Sequence, residues 1–186
     1  MASIYTKQGD DGHTIGCGGR RVAKNDAHCQ ALGALDELSS HVGLCLQAAA
    51  GREQESVRKA LLGVQPELLT LGAMLFACGD SAAEAGAPTI GPGTISRMES
   101  LIDASQASLG ELTHFVLLGG CELACRLHVA RAVCRRAERD VVALASAGPN
   151  VPPIALAYLN RLSDLLFALA RRANADAGIR ENTWRG

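Results

Sequence analysis

The chain has 186 residues, 48% of them apolar and 20% charged, which is enough for a single domain (1–186) with its own core. A formal net charge of −1 argues against nucleic acid as a partner, and 3% aromatic residues leave few platforms for stacking single strands. No uninterrupted apolar run reaches the length of a membrane span, and the first residues carry neither a signal peptide's apolar core nor an arginine-rich transit helix. The expectation is a cytoplasmic protein without a membrane partner.

Residues 6–14 combine Lys7, hydroxyls, acidic groups and closely spaced glycines ahead of any helical pattern. With Gly16, Gly18 and Gly19 leading to Arg20, Arg21 and Lys24, they make an N-terminal glycine-rich arm (1–24) edged with positive charge. Glycine lets backbone N–H groups come close to a ligand, and several such groups beside lysine and arginine form a cradle for phosphate oxygens. The arm is not a G-x-x-x-x-G-K-[ST] loop. A phosphate site and a plain mobile terminus are both open readings.

From residue 27 the apolar period is helical. Leu35, Leu38, Val42, Cys45 and Ala49 mark a first helix over about 27–50. Val57, Leu61, Val64, Leu68, Leu71 and Leu75 mark a second over about 53–78, which Pro66 should kink or restart. The Gly/Ala/Pro run at 79–93 reads as a flexible loop. A third helix is predicted from Thr94, as N-cap, to about 108. Leu123, Leu127, Ala130, Cys134, Ala137, Val141 and Leu144 form the seam of a fourth, stopped by Gly148-Pro149. Pro152-Pro153 open a fifth, with Leu159, Leu162, Leu166 and Leu169 inward. No segment shows β alternation. The fold class is all-α, a five-helix up-and-down bundle.

Seven cysteines without a C-x-x-C pair read as small apolar residues. Cys121, Cys125 and His128 share a helical face, but no further ligand cluster completes a tetrahedron, so no metal site is expected. On the fourth helix, Arg131, Arg135 and Glu138 stack at i, i+4 and i+7, with Arg136 and Arg139 beside them. Arginine's fork suits phosphate, although a salt-bridged solvated face has the same composition. Asn160, Ser163 and Asp164 lie on the fifth helix. Asp36 adjoins the first helix's apolar seam, where it needs a cation within the chain or across an oligomer interface. Phe115 precedes Gly119-Gly120; a lone Phe there also fits a core plug.

Taken together these blocks resemble the PduO-type ATP:cob(I)alamin adenosyltransferases: T-K-Q-G-D-D-G-H-T at 6–14, the run from Arg20 to Ser40, F-V-L-L-G-G at 115–120, and H-V-A-R-A-V-C-R-R-A-E-R at 128–139 with L-N-R-L-S-D at 159–164. The resemblance implies a homotrimer with sites between subunits. Its reaction is transfer of the 5′-deoxyadenosyl group of ATP to the cobalt of cob(I)alamin, with Mg2+ on the phosphates. Thr6, Lys7, Gly9, Asp10, Gly12, Thr14 and Lys24 correspond to the arm's ATP contacts. Arg135, Arg136, Glu138, Arg139 and Asn160 form the helical side of that pocket. Phe115, with Val116, Gly119 and Gly120, faces the corrinoid, and Phe115 and Arg135 carry the catalytic roles. Asp36 pairs with Arg131 of a neighbour. A reductase and an adenosylcobalamin-dependent enzyme are implied as partners. Leu118 stands where the family has proline, and Ser39 where it more often has asparagine.

Overall fold

The structure, a computed structural model, describes residues 4–16, 19–77, 89–107 and 109–184. Strand β1 (His13–Ile15) pairs antiparallel with β2 (Arg21–Ala23), Thr14 lying opposite Val22. Helix α1 (Ala27–Ala48) then starts on an Asp26 cap whose carboxylate accepts from the His28 N–H at 2.9 Å. The second predicted helix is divided. A 3-10 turn at Arg52–Gln54 leads into α2 (Glu55–Leu61), and α3 (Val64–Phe76) restarts after Gly63. Pro66 sits in the first turn of α3, where its missing N–H costs no helical bond. The break therefore falls at the glycine, and the proline is part of the new start.

Helix α4 (Pro92–Gln106) begins two residues earlier than its predicted cap at Thr94. Gly91 takes the cap position and Pro92 the first helical one; the Thr94 N–H donates instead to the Gly91 carbonyl. Of the predicted loop at 79–93, residues 79–88 lie outside the described residues; Ile90 is buried in the core. A two-residue strand β3 (Phe115–Val116) precedes α5 (Glu122–Ser146). Helix α6 (Pro153–Asp176) follows, and the chain returns in β4 (Thr183–Trp184), antiparallel to β3. The expectation of no β structure thus misses two ribbons. Neither is long enough to show an alternating pattern, and each depends on a chain reversal that periodicity does not encode.

Helix α5 is the axis of the bundle, packed between α1 and α6, with α3 on the other side of α1 and α4 on α6. Leu38, Val42, Leu71, Leu127, Cys134, Val141, Leu159 and Leu166 are fully buried where these helices meet. Burial pushes the Cys45 thiol up to about 12 and the Cys134 thiol higher still; Cys134 donates to the Leu159 carbonyl at 3.3 Å. Both act as small apolar residues. By length and mean hydropathy α6 would also suit a bilayer, but more than half of that stretch is buried within the bundle.

Candidate active site

The arm folds into a turn and a hairpin. The Asp10 N–H donates to the Lys7 carbonyl at 3.4 Å and the Gly12 N–H to the Gly9 carbonyl at 3.3 Å. Lys7, at φ 61°, and Gly12, at φ 80°, take left-handed conformations. Lys24 closes the hairpin, its N–H donating to the Gly12 carbonyl at 2.9 Å. A Cβ on Gly9 would stand 2.9 Å from the Lys24 Nζ, so a glycine there lets the ammonium lie against the backbone. Beside this turn is a cavity of about 520 Å³ lined by Thr6, Gln8, Gly9, Thr14, Ile15 and Arg21. Arg21 is ion-paired with Asp11. Gln8 and Arg21 lie inside the glycine-rich and basic blocks read from the sequence, but are not among the ATP contacts that the resemblance implies.

Along α5 the predicted polar residues separate by partner. Glu138 accepts from the Asn160 amide on α6 at 3.2 Å, so these two are already bound across the helix pair. Arg136 forms an ion pair with Glu37 of α1, which answers its charge inside the chain. Arg135 is exposed, its backbone carbonyl accepting from Arg139 Nη1 at 3.1 Å. Among the described residues no hydrogen bond or ion pair joins the arm to Arg135, Glu138, Arg139 or Asn160. The hairpin lies instead over the start of α1 and the end of α5. There Gly16, Arg20 and Val22 share a cavity of about 390 Å³ with Asp26, His28, Leu144 and Pro149.

Phe115 is 79% exposed, which rules out a core plug. It stands at the mouth of a mostly apolar cavity of about 650 Å³, lined also by Leu112, His114, Val116, Leu118, Arg131 and Phe167. Phe167 packs near both Arg131, whose guanidinium is 5.8 Å from the ring centroid, and His128, whose ring is at 6.1 Å. Gly119 and Gly120 follow. Gly120 has φ 120°, and a Cβ on it would run into the Asn174 amide. Asn174, 1% exposed, donates to the Gly119 carbonyl and accepts from the Cys121 N–H, both at 2.9 Å. Phe167, Arg171 and Asn174 were missed in the sequence. Their signal was available: each is aromatic or polar in a leucine and alanine helix, and Arg171 and Asn174 sit on its buried side.

Asp36 is exposed, at the rim of a groove of about 310 Å³ formed by Leu32, Leu35, Leu68, Leu69, Gly72 and Phe76. It adjoins the apolar seam, as its spacing suggested, on the side of α1 that meets α3. Arg131 has a buried Nε without a hydrogen-bond partner among the described residues. Asp36 and Arg131 are not paired with each other within the chain.

The family model for cobalamin adenosyltransferase matches residues 4–173. A corrinoid adenosyltransferase of Bacillus subtilis is 40% identical over 179 residues, covering 95% of this chain and 89% of that protein. The corrinoid adenosyltransferase PduO of Salmonella typhimurium is 42% identical over 178 residues, 94% of this chain; the chain spans about half (51%) of that relative's length. Among solved structures, a variant PduO-type ATP:corrinoid adenosyltransferase from Lactobacillus reuteri, complexed with cobalamin and ATP, superposes with a TM-score of 0.90 at 33% identity, covering 99% of this chain and 100% of that one. With a match across nearly its whole length and a shared helical bundle, the chain belongs to the cobalamin adenosyltransferase family.

Proposed function

We propose that this adenosyltransferase works through two chemically distinct surfaces, a cationic one for ATP and an apolar one for the corrinoid. The reaction transfers the 5′-deoxyadenosyl group of ATP to the cobalt of cob(I)alamin, giving adenosylcobalamin and triphosphate. The observation that carries this reading is the exposed Phe115 above a largely apolar cavity, on a chain whose arginine-bearing α5 face is solvent-accessible. An apolar wall against the lower corrinoid face excludes water and other axial ligands, which makes Co(II) easier to reduce; a protein tunes such a centre through its axial ligation. Reduced cobalt then attacks C5′ of ATP, and the carbon–oxygen bond to triphosphate breaks. No proton has to be removed from the nucleophile, so positioning and stabilisation of charge on the leaving group do the catalytic work.

Thr6, Lys7, Gly9, Asp10, Gly12, Thr14 and Lys24 contact the triphosphate from the arm, and Arg135, Glu138, Arg139 and Asn160 from the helices. Arg136 joins them only by releasing Glu37. Since the two walls share no bond among the described residues of one chain, the reading places them together between subunits of a homotrimer. There Asp36 of one subunit answers Arg131 of the next. Among the described residues no group of three or more His, Cys, Asp or Glu side chains is arranged to hold a metal ion. A Mg2+ ion would therefore arrive on the ATP phosphates, in keeping with its preference for substrate oxygens and water. The reaction takes place in the cytoplasm, with a reductase supplying the electron for cobalt and an adenosylcobalamin-dependent enzyme receiving the product.

The test is anaerobic. Protein, MgATP and chemically reduced cob(I)alamin are mixed and the Co(I) absorbance is followed. Loss of that absorbance with formation of the cobalt–carbon product, faster than in a protein-free control, is expected. Binding of both substrates at the control rate would make the chain a carrier and not an enzyme.

A further inference from the structure

Two residues per strand do not hold a β-ribbon together in water, yet β3 and β4 pair at the edge of the bundle. Phe115 lies opposite Trp184, and the Leu117 N–H donates to the Asn182 carbonyl at 2.8 Å. Both aromatic rings are mostly exposed, so core packing does not fix their position. What does fix it lies one layer down. Arg171, on the buried side of α6, is only 7% exposed. Its Nε donates to both carboxylate oxygens of Glu181, at 3.0 and 3.2 Å, and its Nη2 donates to the Gly110 carbonyl at 3.2 Å.

One guanidinium therefore ties α6 to the segment entering β3 and to the segment entering β4. Removing a charged fork from water is costly unless it is fully paired, and such pairs add geometric definition more reliably than stability. Arg171 is bonded on both sides, to the two segments that lead into the strands carrying Phe115 and Trp184. Asn174, three residues along α6, holds the far end of the same loop through Gly119 and Cys121.

We propose that Arg171, acting through Glu181, is a positioning residue for Phe115. The pair clamps the C-terminal strand onto β3 and so sets the pitch of the aromatic wall that meets the corrinoid. The inference rests on the assignment of Phe115 to the corrinoid face. It predicts that loosening the clamp affects the corrinoid and leaves ATP, which binds elsewhere, untouched.

The experiment compares wild type, Glu181→Gln, Arg171→Lys and Phe115→Ala in the full-length protein. Steady-state KM values are measured separately for cob(I)alamin and ATP. The four-coordinate Co(II) signal formed with cob(II)alamin and ATP is read by electron paramagnetic resonance. Trp184 is the chain's one tryptophan, so its fluorescence reports directly on β4. Glu181→Gln keeps the side chain's shape at a position that is not fully enclosed, and should fold. We expect it to raise the corrinoid KM about fivefold to tenfold, the size of one ordinary hydrogen bond, since glutamine keeps an acceptor and loses the charge, with the ATP KM held within about twofold. The four-coordinate signal falls and Trp184 emission moves to longer wavelength. Arg171→Lys, which keeps the charge but loses the fork, shifts the same readouts in the same direction. An equal rise in both KM values would mean general loosening of the fold and would overturn the positioning role. So would a wild-type Co(II) signal in Glu181→Gln while Phe115→Ala loses it, leaving the Phe115 assignment intact. If Phe115→Ala itself keeps the signal, that assignment fails and the clamp's function fails with it.

Discussion

On the buried side of α5, the His128 ring packs against Phe167 with neither nitrogen hydrogen-bonded among the described residues. Burial, and then the Arg131 guanidinium, lower its pKa from the ordinary 6.5, while Glu181 works weakly the other way. A histidine depressed in the folded state is neutral in both states above its unfolded pKa, so stability there is undiminished. As pH falls below about 6.5 the unfolded chain takes up a proton that the folded chain refuses, and stability drops until the lowered folded pKa is passed. His128→Leu should therefore flatten the pH dependence of urea unfolding between about pH 7.5 and about pH 5.5. Parallel profiles for variant and wild type would show that His128 is not the group responsible. The unusual status of this histidine was invisible in the sequence, where Cys121, Cys125 and His128 suggested only a shared helical face. Phe115 was similarly ambiguous: its residue type is compatible with core packing, and only the short ribbon with β4 explains why it faces outward.

At the scale of elements, leucine spacing predicted the long helices to within a few residues, because an amphipathic helix must bury its apolar stripe at a fixed period. Boundaries depended on local chemistry. Gly91-Pro92 displaced the start assigned to Thr94, and the restart expected at Pro66 begins two residues earlier, after Gly63. Contacts between helices were less legible, since they join residues far apart in the chain. Glu67 of α3 is one such junction. It is ion-paired with Arg97 of α4 at 2.5 Å and accepts from the Tyr158 hydroxyl of α6 at 3.1 Å. Tyr158 is fully buried, and its pKa is pushed up by burial and by the Glu67 carboxylate, so the phenol remains a donor. Tyr158→Phe keeps the ring and removes the hydroxyl, and should cost about 1.5–3 kcal/mol of unfolding free energy, the range for a hydrogen bond to a charged acceptor. A calorimetric unfolding curve superimposable on wild type would mean that Arg97 alone satisfies Glu67.

For the whole molecule, Asp36 and the Arg131 Nε are left without a hydrogen-bond or ion-pair partner for their side chains among the described residues. Asp36 borders an apolar groove in which Leu69 is 74% exposed and Phe76 45%. The buried Arg131 Nε beside the Phe115 cavity has no hydrogen-bond partner among the described residues. Exposed apolar area next to an unanswered charge suits an interface between like subunits. Asp36→Asn should weaken assembly of the proposed trimer by about 1.5–3 kcal/mol per interface, the scale of a charge-assisted hydrogen bond. Sedimentation equilibrium across a dilution series measures this, and an unchanged association constant would remove Asp36 from the interface. The arm belongs to the same account. In the sequence it was a glycine-rich terminus open to two readings. The hairpin gives it a cradle beside Lys24 and Arg21, and since no bond joins it to the Arg135 face among the described residues, a second subunit is the proposed source of the opposite wall.

The division of labour between a cationic ATP surface and an apolar corrinoid surface is tested most directly by the ATP dissociation constant, measured calorimetrically for Arg135→Ala and Phe115→Ala. The account predicts that Arg135→Ala loses about 1.5–3 kcal/mol of ATP binding, roughly tenfold to a hundredfold, while Phe115→Ala binds ATP as wild type does. Wild-type affinity in Arg135→Ala, or equal losses in both variants, would contradict it.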